Sequence, residues 1–352
     1  AHLGSLDGFD QLQRRMKRHG IQKAALMSLA GQGDCAQNPL LLAIQAAHPE
    51  DVIIFGGLDH LGYQRGLAPP YAEQIKLLLQ SGFSGLKMIE GKPQNRMALG
   101  RRLDDPVFDD MYDLLEKRRV PVLFHVADPA TFWDAAQVPD FAKEQGWFYD
   151  EKNNLPYAAF YGEIEGLLKK FPCLHLILAH FYFLSDDAQA ADDFLKRHPT
   201  VCFDLTPGSE MFFHFAQNPE LWRTFFMTYQ DRLIFGTDNR DLADESEQKI
   251  LDEIIDTLRF LLEQEGSKEL WGQKVEGLAL PETALDQIER KNICRLVESQ
   301  TEREGTTEAA LDVFRRSLFI AQELGQVKKA LEIQKLLQNF LTLKEGDFYG
   351  FI

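Results

Sequence analysis

Seven short apolar runs punctuate the chain: residues 21–28 (IQKAALMS), 51–57 (DVIIFGG), 84–90 (SGLKMIE), 121–126 (PVLFHV), 174–180 (LHLILAH), 200–205 (TVCFDL) and 232–237 (RLIFGT). Each is continuous rather than strictly alternating, which suits parallel strands covered on both faces. Helix-length amphipathic stretches lie between them, at 38–48, 70–81, 104–118, 158–171, 187–198 and 244–264. Strand and helix in alternation predict right-handed βαβ units.

The chain opens AHLGSLDGFDQLQRRMKRHG, and within 8–19 the apolar residues Phe9, Leu12 and Met16 fall at helical spacing. A helix feeding the run at 21–28 implies a strand before it, ending at Ala1-His2. With that strand the count reaches eight, enough to close a (β/α)₈ barrel. The expected fold is therefore α/β, a TIM barrel whose first strand is truncated at, or lies upstream of, residue 1. An open doubly wound sheet is the competing reading, but the chain has neither GxGxxG nor GxxxxGK[ST].

The barrel is expected to occupy residues 1–297. Within it, 127–157 is long and rich in aromatics (Phe132, Trp133, Trp147, Phe148, Tyr149, Tyr157), the pattern of an active-site loop that serves as a lid or substrate wall. Residues 298–352 are expected to form a helical C-terminal extension with helices at 307–324 and 326–343, Gly325 capping the first. Their apolar positions, among them Leu311, Phe314, Leu318, Leu336 and Phe340, suit packing against the barrel or a second subunit, as in a homo-oligomer.

Composition narrows the function. The 352 residues are 45% hydrophobic and 26% charged, with a formal net charge of -16. Such a surface repels nucleic acid and anionic membrane, so neither is an expected partner. No stretch approaches eighteen apolar residues and no secretory pattern opens the chain. The four cysteines, Cys35, Cys173, Cys202 and Cys294, have no CxxC spacing, which suits reduced, buried thiols in a cytoplasmic protein.

In a barrel, chemistry sits at the C-terminal ends of strands. His2 ends the inferred first strand, Lys87 lies within 84–90, His125 and His180 end their runs, and Asp238 follows the last. A histidine alone at a strand end is commonly structural; the set points to a metal site. A divalent ion such as zinc takes neutral imidazoles and a carboxylate while leaving a position for water. The ion acidifies that water and polarises a carbonyl, and a nearby group must shuttle the proton. Asp238 suits both ligand and proton acceptor, and His180 is its natural acid/base partner.

The chain resembles the amidohydrolase superfamily, and within it the amidohydrolase-related branch, which includes decarboxylases and lactone hydrolases. IEGLLKKFPCLHLILAHF is similar to the branch's helix and strand ending in its histidine, DRLIFGTDN to its last strand with the metal-binding aspartate, and PVLFHVADP to the strand with its metal-binding histidine. GLALPETALDQIERKNICRLV resembles the closing helix, with Asn292 matching a common asparagine. The resemblance implies that His125 and Asp238 are metal ligands and that His180 is either a second-metal ligand or a catalytic, substrate-orienting histidine. It also implies an HxH motif whose second histidine is His2 and whose first falls before Ala1.

Lys87 has two implied fates. As a carbamate it would bridge two ions; unmodified, with one ion, it would bind a substrate carboxylate as a point charge. One ion, zinc or alternatively manganese, is the expected complement. Substrate contacts are assigned to Lys87, Asp128, Glu210 and Arg240, with Asp128 equally readable as a turn residue. Ser209 and Glu210 are alternatively caps of the next helix, and Asp204 reads as a support for the residues around it. His60 reads as a solvated loop residue, and His19, His48, His175, His198 and His214 as structural or surface positions. The expected activity is hydrolysis of a C–N or C–O bond (amide, lactone or ester) of a small anionic or ring-bearing molecule. Non-oxidative decarboxylation on the same site is the alternative, and a metal-free, non-catalytic barrel a second.

Overall fold

A computed structural model describes the chain except residues 30–35, 151, 153, 209, 242–243, 302–304 and 350–352. Cys35 and Ser209 therefore lie outside the described residues. Seven parallel strands follow one another in chain order, β1 (Ala24–Met27), β2 (Val52–Gly56), β3 (Gly85–Gly91), β4 (Val122–Val126), β5 (Leu176–Leu178), β6 (Cys202–Asp204) and β7 (Leu233–Ile234). Six fall inside one of the seven apolar runs and β3 overruns its own by one residue, Gly91, and sequential order with helices between is the winding of an α/β barrel. The chain divides into two compact units, one of residues 1–88, 238–252 and 300–352, the other of 89–237 and 253–299.

In the first unit β1 pairs with β2 from Ala24↔Val52 to Met27↔Phe55. No strand is assigned before β1 among the described residues, but the main chain at Ala1-His2 bonds to its neighbours where that strand was expected. Ala1 N donates to Ala25 O at 3.0 Å, Met27 N donates to Ala1 O at 2.7 Å, and His2 N donates to Asn239 O at 2.8 Å. The helix Leu6–Arg18 then starts at Ser5, whose Oγ accepts from Gly8 N, and buries Phe9, Leu12 and Met16 as their spacing requires. Helices Thr307–Glu323 and Val327–Tyr349 pack on each other and on Asn38–Ala47, with Phe314 and Phe340 rings 5.2 Å apart. Gly325, at φ 67°, ends the first of them: its N–H reaches Gln322 O, and the Gln326 N–H reaches Ala321 O.

In the second unit β4, β5, β6 and β7 pair in parallel, Phe124 opposite Leu178, Leu178 opposite Phe203 and Phe203 opposite Leu233. Asn292 is fully buried, and its side-chain amide donates to Gln230 O and Leu233 O at 2.7 Å each, clamping the closing helix to β7. An antiparallel hairpin, β8 (Ser267–Leu270) and β9 (Gln273–Glu276), was not expected. Its two-residue turn, Trp271-Gly272, has φ of 50° and 74°; the Trp-Gly pair lacks the Asn-Gly or Asp-Gly signature of such turns. One cysteine reading is corrected: Cys173 is exposed, because it sits in the turn preceding β5 rather than within it, as is Cys294, and only Cys202 is buried.

Candidate functional site

Three strand exits carry strained backbone. Ala127 after β4 (φ 62°), His180 after β5 (φ 57°) and Asp238 after β7 (φ 47°) all occupy the left-handed region without being glycine. Such a conformation costs on the order of 1–2 kcal/mol per residue and clusters where side-chain aim matters. After β5 the strain runs through Phe181, Tyr182 and Phe183. The buried Phe181 ring, packed 5.1–5.6 Å from Phe203, Phe215, Trp222 and Phe225, holds that turn down.

In the second unit the turn delivers His180 to a set of acceptors. The Asp204 carboxylate accepts the main-chain N–H of both His180 and Thr206 at 3.0 Å, so Asp204 shapes the turn and the next loop together. His180 Nδ1 lies 3.2 Å from Thr206 O, and its Nε2 lies 3.1 Å from His125 Nδ1. His125 Nε2 in turn lies 3.2 Å from Asp128 Oδ1. A carbonyl and an ionised carboxylate only accept hydrogen bonds, so each ring carries its proton on the far nitrogen. The two remaining lone pairs, His180 Nε2 and His125 Nδ1, then face each other. At that separation the two nitrogens either share a proton or converge on a cation.

Asp128 is buried and takes three donors: His125, Lys92 Nζ at 3.1 Å from both oxygens, and Tyr149 OH at 2.5 Å. Burial pushes its pKa up, but the hydrogen bond and charge of His125, with Lys92 and Tyr149, outweigh burial and bring it down to about 2. Asp128 is thus fully engaged within the protein. Glu210 opens the helix Glu210–Gln217 with its carboxylate folded against Gly208, and burial, with Asp128 and Asp186 nearby, raises its pKa. Gly91, at the end of β3, permits the close approach of β4: a Cβ there would lie 2.3 Å from His125 O.

In the first unit His2 Nε2 lies 3.5 Å from Asp238 Oδ1, their side chains 29% and 44% exposed. Burial lowers the His2 pKa, and the charges of Lys87 and Arg240 act in the same direction against the attraction of Asp238. A neutral imidazole is the form a metal requires. Lys87 is buried on β3 and Arg240 is exposed. The residues flanking Asp238 are tied down: Asn239 Oδ1 accepts from Arg15 Nη1 at 2.6 Å, and Asp241 Oδ2 accepts from Gly4 N and Ser5 Oγ. Among the described residues no group of three or more His, Cys, Asp or Glu side chains is close enough to hold an ion.

Sequence reasoning missed Lys92 and placed Tyr149 only among the aromatics of the loop wall, although Lys92 stands directly at a strand exit, the criterion that singled out the other residues. His60 is not simply solvated, since its Nδ1 lies 2.9 Å from Tyr71 OH. His19 pairs with Asp252 and His198 with Glu165, as structural residues do.

Residues 7–298 match a family described as amidohydrolase. The chain belongs to the amidohydrolase family. It is accordingly an enzyme, of a family whose norm is metal dependence. No curated protein matches it. Among solved structures it is similar to an uncharacterized TIM-barrel protein from Bordetella bronchiseptica, with 16% identity over 84% of this chain and 83% of that one, TM-score 0.52. A 2,6-dihydroxybenzoate decarboxylase from Rhizobium is 16% identical over 82% of this chain and 88% of that one, TM-score 0.50. A probable 2-pyrone-4,6-dicarboxylic acid hydrolase from Acinetobacter baumannii, with citric acid bound, is 11% identical over 85% and 97%, TM-score 0.51. At these identities the likeness is one of fold. Among the described residues no helix is long and apolar enough to cross a membrane.

Two of the candidate donors, His125 Nδ1 and His180 Nε2, have a spacing compatible with one divalent ion. Two nitrogens each about 2.0–2.1 Å from one zinc ion would stand roughly 3 Å apart, the separation that His125 Nδ1 and His180 Nε2 show. Their other nitrogens are already engaged by Asp128 and Thr206, the arrangement that fixes a metal-binding imidazole's tautomer.

Proposed function

We propose that this amidohydrolase is a metal-dependent hydrolase acting on an amide, lactone or ester bond of a small anionic or ring-bearing molecule. The observation that carries the reading is the pair of imidazole nitrogens 3.1 Å apart, each ring engaged at its other nitrogen by Asp128 or Thr206. His125, His180, His2 and Asp238 are the proposed ligands, for one zinc ion or alternatively one manganese; a second ion would require Lys87 as its carbamate. The bound ion supplies Lewis acidity toward a carbonyl oxygen and makes water acidic near neutral pH.

The chain's own residues supply the rest. Asp238, half-exposed, accepts the proton of the attacking water and returns it to the leaving group. His180, held by Asp204 and Thr206, orients the carbonyl group or serves as a ligand without moving. Lys87 and Arg240 attract an anionic group, Lys87 as a desolvated point charge and Arg240 as an exposed one. Glu210, whose carboxyl pKa is raised by burial, is the proposed contact on the loop after β6. Asp128 serves His125 rather than substrate.

The test is a panel of small lactones, esters, amides and aryl carboxylates incubated with zinc- and manganese-loaded protein. Hydrolysis with uptake of solvent oxygen supports the reading. Release of carbon dioxide from an aryl carboxylate, with no hydrolysis on the panel, replaces it with non-oxidative decarboxylation.

A further inference from the structure

The aromatic segment after β4 has a small core of its own, in which Phe132, Val138, Ala142 and Tyr149 are buried and Trp133 and Trp147 pack against them. Tyr149 is seated by main chain and ring alike: its N–H reaches Phe132 O at 2.9 Å, and its ring lies 4.6 Å from Trp133. From this core two groups reach toward β3 and β4. The Trp147 ring lies 4.3 Å from Lys92 Nζ, and the Tyr149 hydroxyl donates to Asp128 Oδ2 at 2.5 Å. Gln94 Nε2 adds a bond to Gly146 O at 3.2 Å. Both principal contacts therefore end on Asp128, directly or through the lysine that pairs with it.

Asp128 is also the acceptor for His125 Nε2, on the other oxygen. Lys92 sits 3.1 Å from both oxygens and so does not distinguish them. The division of labour, His125 on Oδ1 and Tyr149 on Oδ2, is what sets the rotation of the carboxylate plane. Remove the hydroxyl, and the carboxylate is free to turn toward Lys92. His125 then loses the acceptor that holds its proton on Nε2, and the Nδ1–H form becomes competitive. In that form Nδ1 would point a hydrogen, not a lone pair, toward His180.

We propose that Tyr149 is a positioning residue for His125, acting through Asp128, so that docking of the segment 130–149 sets which imidazole nitrogen is available beside His180. Its link to metal binding rests on the functional reading above, in which His125 Nδ1 is a ligand atom; the tautomer itself does not. Wall and ligand face are thereby one device. The ring that packs the segment also orders the nitrogen, and a substrate that moved the segment would alter the ligand.

The test uses full-length, metal-free protein labelled with ¹⁵N-histidine, above the pH at which imidazoles are charged, with His125 assigned through His125→Gln. The wild type should show His125 as the Nε2–H tautomer. Tyr149→Phe keeps the ring and its packing, and should bring the two tautomers to comparable populations with thermal stability near that of the wild type. Trp147→Leu, which loosens the seat of Lys92, should move the populations the same way by less. A wild type in the Nδ1–H form, or a Tyr149→Phe protein with an unchanged tautomer, overturns the proposal. Zinc titration of the same samples separates the two readings. Roughly a tenfold loss of affinity in Tyr149→Phe accompanies the tautomer change if Nδ1 is a ligand atom. Failure of the wild type to bind zinc would sink the functional reading while leaving the tautomer result to decide the positioning role.

Discussion

His125 and His180 are held at both ring nitrogens by groups of their own unit, whereas His2 and Asp238 meet at 3.5 Å with much of both side chains open to solvent. The first pair is preorganised. Buried acceptors select its tautomers and aim its lone pairs before any ligand arrives, and the strained turn after β5 is stabilised by Phe181 packing and by Asp204. The second pair is anchored through its neighbours instead: main chain at His2 and Asn239, side chains at Asn239 and Asp241. Disturbing the first pair should therefore cost folding stability as well as function, and disturbing the second should cost function almost alone.

The largest loss of stability is expected from Asp204→Ala. It strips the acceptor from two main-chain N–H groups at a buried position, at a cost of about 3 kcal/mol. Denaturant unfolding measures this directly, and a change below about 1 kcal/mol would mean that the turn stands without its carboxylate.

Asp128 should show its contribution through pH. Its folded pKa of about 2 lies below the ordinary 3.8, so its stabilisation is complete above the ordinary value and is lost as pH falls through the folded one. The difference corresponds to about 2 kcal/mol. Asp128→Asn should lose that amount near neutral pH and show a flatter acid limb. An acid limb identical to the wild type's would contradict the assignment.

The smallest effect on stability is expected from Asp238→Asn. The ion pair is half-exposed and long, so unfolding should change by less than about 1 kcal/mol. Zinc affinity measured on the same protein should nevertheless fall by roughly a hundredfold or more, a ligand being worth at least as much as the groups that orient it. A large loss of stability with affinity unchanged would reverse the comparison between the pairs.

The scaffold was legible because continuous β-branched runs and helical spacing repeat along the chain, and each strand fell within one residue of its run. Asn292 was legible only by resemblance; its clamp on the start of β7 explains why an amide belongs there. The positions of His125, His180, His2 and Asp238 followed from one rule, that barrel chemistry sits at strand exits. The partners did not follow, because they depend on side-chain direction rather than on position in the chain. Asp128 read equally as a turn residue or a substrate contact, and only the convergence of His125, Lys92 and Tyr149 on its oxygens gives it a specific job. Lys92 met the strand-exit rule and was passed over beside Lys87. The left-handed backbone at Ala127, His180 and Asp238 leaves no mark in residue type, since none is glycine. The Trp271-Gly272 hairpin lacked a turn signature for the same kind of reason.

Element-resolved metal content tests the central claim most directly, measured on wild type, His125→Ala and His180→Ala after growth with zinc and manganese supplied. We expect about one ion per chain in the wild type, as a site of this donor type requires, and loss of that ion in both variants while they remain folded. A folded wild type without bound metal, or a His125→Ala protein that keeps its ion, would contradict the account.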